Sequence, residues 1–211
     1  MQTQKDEIRR QILRVARDEF LKHGVKHTSM KTIATRAGVA VGNIYNYYAG
    51  KDELLKAVLA PLFNAIEGYR AQNLDVTYTS LDIYRYEVYY EMMRRQVVSL
   101  IIPYRKEFRL LLFETAGTSL ENYFDRLSEM NCDDGRTYIE HVKARYPHIT
   151  ADVSTHFIRI LCELWAGLIK HIVVNDGLNE AELDRIISNY VRFGIGGWKN
   201  LLGIDADEWT L

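Results

Sequence analysis

Apolar residues recur at steps of three and four along nearly the whole chain, and no run of β-branched residues alternates with polar ones. That pattern predicts an all-α protein. Ile8, Ile12, Val15, Ala16 and Phe20, with Glu19 beside them, trace one face of a helix from about Lys5 to Lys22. Gly24 supplies a residue that tolerates the left-handed conformation and ends it. Thr28 then stands before Ser29-Met30-Lys31-Thr32-Ile33-Ala34 as the expected N-cap of a second, short helix ending near Arg36. Ala37-Gly38-Val39 provides in order a small residue, one tolerant of positive φ and an apolar plug, which a tight turn between two short helices requires. A third helix, about Val41 to Tyr47, points Ile44 inward and turns Gly42, Asn43, Tyr45, Asn46 and Tyr47 mainly outward. Gly42 costs about 1 kcal/mol relative to Ala in a helix, so it suggests that something approaches the backbone there.

Beyond Ala49-Gly50, the acids of Lys51-Asp52-Glu53-Leu54-Leu55 suit the positive end of a new helix, and Lys51 is placed to meet a phosphate. Leu55, Val58, Leu59, Leu62, Phe63 and Ile66 carry that helix to about residue 72. Pro61 inside it predicts a kink or break. More helices are expected over 81–98, 105–115, 119–129 and 136–145, with loop signals at Pro103, Gly117, Asp133-Asp134-Gly135 and Pro147. The last two, about 152–174 and 180–202, are the most apolar. Their hydrophobic residues exceed a single core-facing stripe, which implies a second buried face and a partner to cover it. The predicted organisation is a head over residues 1–50 and a helical body over 51–211, joined by a connecting helix over 51–72.

Charge divides the chain in the same place. Through Lys56 there are eleven basic and six acidic side chains, a formal +5, while the remainder carries sixteen and twenty-two, a formal −6. A basic head on an acidic body suits a protein that offers one end to a polyanion. The first ten residues lack the apolar core of a secretory signal, and the most apolar stretch, Leu161 to Val174, is broken by Glu163, Lys170 and His171. No membrane span is expected. Cys132 and Cys162 stand in unrelated contexts and form no CxxC pair, which suits a reducing, cytoplasmic setting.

Thr28-Ser29-Met30, Ile33-Ala34, Ala37-Gly38-Val39, Gly42, Ile44-Tyr45 and Lys51-Asp52-Glu53-Leu54-Leu55 match, in order and spacing, the N-terminal signature of the TetR family of bacterial regulators. The chain resembles that family over about Ile8 to Leu59. Where the family usually has His-Phe after the Tyr-x pair, this chain has Tyr47-Tyr48. Tyr48 still suits a core position, and Tyr47 can still donate to a phosphate. The resemblance implies a helix-turn-helix on double-stranded DNA, with Ser29, Thr32, Tyr45, Tyr47 and Lys51 positioning phosphates and Val41, Gly42, Asn43 and Asn46 facing base edges. Asn43 and Asn46 are suited to read adenine, since one Asn amide can bond N6 and N7 together.

The same resemblance implies a homodimer paired through the last two helices and a small-molecule pocket inside the body. Tyr86, Tyr89, Tyr90, Met93, Phe113, Tyr123 and Trp165 are the candidate pocket residues, suited to an aromatic, lipidic or weakly cationic effector. The six histidines show no HExxH or Cys/His quartet, and no nucleophile elbow, P-loop or dinucleotide fingerprint is present. No metal, cofactor or catalytic residue is expected. The expected function is therefore a ligand-responsive transcriptional repressor on a pseudo-palindromic operator. The alternative is a helical protein-interaction module that keeps the fold without specific DNA binding.

Overall fold

The structure, a computed structural model, describes residues 2–74 and 80–204. Its α-helices are α1 (Gln2–His23), α2 (Met30–Arg36), α3 (Val41–Ile44), α4 (Lys51–Leu74), α5 (Tyr86–Arg95), α6 (Arg105–Phe113), α7 (Tyr123–Arg145), α8 (Thr155–Val174) and α9 (Glu180–Leu202). A 3₁₀ turn over Leu81–Tyr84 precedes α5, and a π-helical stretch over Gln96–Ile101 follows it. The described residues contain no strand. They form two compact units, the first Met1–Ile66 with Tyr104–Phe124, the second Glu67–Pro103 with Asp125–Leu211. The all-helical fold, a helix-turn-helix-like N-terminal bundle and a C-terminal bundle, is the one the sequence predicts.

In the first unit, Ile12, Ala16 and Phe20 are fully buried on the predicted face of α1. Gly24, at φ 78°, closes that helix by donating its N–H to the Phe20 carbonyl at 3.0 Å. The cap of α2 differs from expectation. Ser29 is the N-cap, its hydroxyl accepting from the Thr32 N–H at 3.0 Å, whereas Thr28 is buried and donates to the Gly24 carbonyl at 2.8 Å. Either hydroxyl could have capped α2, but Thr28 faces back toward the turn that ends α1. Gly38 takes φ 66° between α2 and α3, and Gln11 of α1 holds that turn by donating to the Ala37 carbonyl at 2.9 Å. Helix α3 is one short turn, continued to Tyr47 by bonds from Asn46 to Asn43 and from Tyr47 to Ile44.

Helix α6 packs on α1 in the same unit. The buried Glu107 carboxylate accepts from Arg17 Nε at 2.8 Å, an arrangement that fixes where the two helices meet. Asp52, in the first turn of α4, accepts from the Ser119 amide at 2.7 Å and its hydroxyl at 2.9 Å. Helix α4 runs unbroken through Pro61. Proline deletes one backbone hydrogen bond, and the buried Leu55, Leu59, Leu62 and Ile66 on either side offset that loss by packing.

The second unit departs further from the sequence pattern. The expected helix over 81–98 is instead the 3₁₀ turn, α5 and the π-helical stretch, parted at Arg85, whose backbone is extended. The separate helices expected over 119–129 and 136–145 are one continuous α7, and Asp133-Asp134-Gly135 lies inside it. Within that segment Asp134 is tied to α4 by Arg70 at 2.7 Å, a tertiary bond that a surface turn would lack. Gly194 of α9 lies under Tyr89 of α5: a Cβ there would sit 3.3 Å from the ring. Helix α9 opens on a capping box, Asn179 accepting from the Glu182 amide at 3.0 Å and Glu182 accepting from the Asn179 amide at 2.9 Å.

Candidate functional site

From Phe20 to Lys51 the chain contains no Asp or Glu. Folding turns part of this acid-free stretch into one exposed surface, because Ile33, Ala34 and Ile44 are buried on the inner sides of α2 and α3. Their outer sides carry Ser29, Thr32, Val41, Gly42 and Asn46, all exposed, with Asn43 and Tyr47 half-buried. Tyr45 is the largest projecting side chain, 50% exposed. Asn46 donates its amide N–H to the Asn43 side-chain oxygen at 2.9 Å, so the two amides are held as a pair. That pair retains amide donors and acceptors for an external partner. Tyr48 is buried, with the Arg9 guanidinium over its ring at 5.6 Å from the centroid. A Cβ on Gly42 would meet nothing within 4 Å, so within the chain itself the space above this backbone is open.

Lys51 behaves differently from its neighbours on this face. Its ammonium donates to the Val25 carbonyl at 2.8 Å and the Thr28 carbonyl at 3.2 Å, tying the start of α4 to the α1–α2 loop. An ammonium has three protons, so one donor remains beyond these two bonds. Of the other bases, Arg36 pairs with the buried Glu19. The sequence pattern left Glu19 as an unexplained polar residue on an apolar face, and that ion pair accounts for it.

The second unit holds a cavity of about 240 Å³, adjoined by another of about 200 Å³ that shares Tyr89, Met92, Gly135 and Trp198 in its wall. Of the candidate pocket residues, Tyr89, Met93 and Trp165 line the larger one. The other four candidates lie elsewhere. Tyr86 and Tyr90 stack on each other, with Tyr86 bonded to Ser188 at 3.0 Å and Tyr90 to Asp184. Phe113 is exposed, and Tyr123 packs its ring 4.7 Å from that of Phe63 in the first unit. Composition marked these aromatics, but the face of each helix that meets its neighbours was not readable from composition.

The residues missed are chiefly polar ones. Arg70, from the end of α4, donates to Asp134 at 2.7 Å and to Asn131 at 3.0 Å, both on α7. Gln96 accepts from the Trp165 indole N–H at 3.3 Å. Tyr190 stands beside Tyr89, and burial pushes its hydroxyl pKa well above the usual tyrosine range. Cys162 also faces the cavity. Its thiol is pushed up to about 12, first by burial and then by a hydrogen bond with Cys132. The two cysteines, read as unrelated, are neighbours across α7 and α8, because helices distant in sequence pack side by side. No group of three or more His, Cys, Asp or Glu able to hold a metal occurs among the described residues, and no described helix is long and apolar enough to cross a membrane.

A family profile described as bacterial regulatory proteins, tetR family, matches residues 12–58. The HTH-type transcriptional repressor KstR2 of Mycolicibacterium smegmatis is 28% identical over 74 residues, 35% of this chain and 36% of that protein. The HTH-type transcriptional regulator SrpR of Pseudomonas putida is 37% identical over 62 residues, 29% of each. The aligned segments thus span about a third of these curated relatives. Among solved structures, a TetR-family transcriptional regulator from Syntrophomonas wolfei superposes with a TM-score of 0.63 at 20% identity, over 95% of this chain and 100% of that one. At that identity the likeness speaks to the fold, and it extends through both units. Residues 12–58 thus form a head of the kind found in bacterial regulatory proteins of the tetR family, and the helical architecture is shared along nearly the full length with a solved structure of that kind.

Proposed function

We propose that the chain is a sequence-specific, ligand-responsive transcriptional regulator that binds a pseudo-palindromic operator as a homodimer, most consistent with repression. The observation that carries the reading is the exposed, acid-free surface of α2 and α3, with a hydrogen-bonded Asn43–Asn46 pair beside Tyr45. Ser29, Thr32, Tyr45, Tyr47 and the remaining donor of Lys51 contact phosphates, and Val41, Gly42, Asn43 and Asn46 face bases.

Dimerisation supplies the symmetry. Phe157, Ile160, Leu164 and Val174 on α8 and Phe193 and Leu201 on α9 are exposed apolar residues, Phe193 to 68%. On α8 they fall at helical spacing on one face, and exposed apolar area of this kind favours a second copy. Two heads then address half-sites about 34 to 36 Å apart. The cavity of the second unit receives the effector, whose unequal affinity for DNA-competent and DNA-incompetent states is what makes the protein a switch.

Selection of bound sequences from a random duplex pool tests the reading. Enrichment of an inverted repeat, with binding that weakens steeply as salt rises, is the expected result. Retention of no sequence above background would remove DNA binding and favour a protein-interaction role for the same helices.

A further inference from the structure

Among the cavity residues the only formal charges are Arg70 and Asp134, and they are spent on each other at 2.7 Å, with Asn131 taking a second guanidinium donor at 3.0 Å. The wall is therefore electroneutral. A charged occupant would have to break that pair or go unpaired in a largely aromatic surround, and either is costly.

Gln96 is the exception in this wall. Its side chain is buried, 8% exposed, at the start of the π-helical stretch. An indole N–H donates and cannot accept, so the bond from Trp165 fixes the Gln96 oxygen toward the ring and the NH₂ away from it. The NH₂ has no acceptor among the described residues, and the residue lines the cavity. Arg105 Nε is the one fully buried side-chain polar atom without a partner among the described residues, so the Gln96 NH₂ keeps some accessible surface, and a ligand oxygen reaching it would accept a hydrogen bond in place of water.

Size limits the rest. A dry apolar cavity of roughly 150 Å³ accommodates benzene, so about 240 Å³ accommodates two fused rings. We propose that Gln96 is the specificity-determining donor of this cavity, and that the ligand class is an uncharged, ring-bearing molecule of about two fused rings carrying a carbonyl or ether oxygen. The aromatic walls bind the rings, the Gln96 amide binds the oxygen, and the Arg70–Asp134 pair stays closed and rejects ionised analogues. This rests on the reading of the cavity as the effector site.

The test is calorimetric titration of the full chain with three compounds of similar size: coumarin, which is uncharged and bears a ring carbonyl; naphthalene, which has no acceptor; and 2-naphthoate, which is ionised. Coumarin is expected to bind about tenfold tighter than naphthalene or more, and 2-naphthoate more weakly than coumarin. Gln96→Leu should abolish the preference for coumarin while leaving naphthalene binding intact or improved. Equal binding of coumarin and naphthalene by the unaltered protein overturns the assignment of Gln96 and leaves the cavity reading standing, as does an undiminished preference in the variant. Tighter binding of 2-naphthoate than of coumarin overturns the electroneutral class. Failure of all three to bind removes the effector-cavity reading and this inference with it. Should Gln96→Leu not fold by circular dichroism, the comparison of ligands on the unaltered protein still decides.

Discussion

The outer face of α2 and α3 and the cavity of the second unit are both made of polar and aromatic side chains, and they are assembled in opposite ways. The first is built from residues 29–47, contiguous in sequence, so one helical turn after another delivers its members to the same side once Ile33 and Ile44 are buried. The second gathers Arg70 from α4, Gln96 from the π-helical stretch, Asp134 from α7, Trp165 from α8 and Tyr190 from α9. Local periodicity suffices to foresee the first arrangement. No local rule foresees the second, because its members meet only after the bundle has packed.

The two regions also differ in what a side chain there contributes. On the α2–α3 face the polar groups are exposed and support stability little, so their worth lies in an external partner. In the cavity wall they are buried or half-buried, and Arg70 is bonded to Asp134 and Trp165 to Gln96, so a change alters both the bundle and what it can hold. Substitutions should separate these roles.

The largest expected effect is under the exposed face: Ile44→Ala, at a fully buried position, should cost about 2–5 kcal/mol in urea unfolding and abolish duplex binding. Next, Asp134→Ala leaves Arg70 without its carboxylate in a wall where both are about one-fifth exposed, and should cost about 1–3 kcal/mol of stability by the same measurement. On the exposed face itself, Asn46→Ala should change stability by about 0.5 kcal/mol or less while altering base preference at one operator position by about 1–3 kcal/mol in competition binding. A stability loss at Asn46 as large as at Asp134 would erase the contrast between the two regions.

The smallest effect concerns pH. The Asp52 carboxylate is held below the usual aspartate range, first by the hydrogen bond from the Ser119 amide. A carboxyl with a depressed folded-state pKa stabilises the fold above its unfolded value, about 3.9, and that contribution fades as pH falls through the folded value. Asp52→Asn should therefore leave a small stability deficit near neutral pH that vanishes in acid. A deficit that persisted below the folded value would refute the assignment.

Much of the first unit was legible from the chain. The glycine at the end of α1, the Ala37-Gly38-Val39 turn, the inward Ile44 and the core role of Tyr48 all follow from local conformational needs and are all present. What eluded the sequence there involves a partner far along the chain: Gln11 on the Ala37 carbonyl, Lys51 on the α1–α2 loop, and Glu107 of α6 against Arg17. Thr28 and Ser29 were both capable caps, and only the position of the preceding turn chose between them.

The sequence by itself determined the all-helical class, the helix-turn-helix and the apolar surplus of α8 and α9, because each depends on residues a few positions apart. Tertiary structure alone decided that Asp133-Asp134-Gly135 stays helical, that Cys132 meets Cys162, and that Gln96 and Arg70 face one cavity while Tyr86, Tyr90, Phe113 and Tyr123 do not. Those outcomes turn on which helix faces meet. Periodicity marks an apolar face without naming the helix that will cover it.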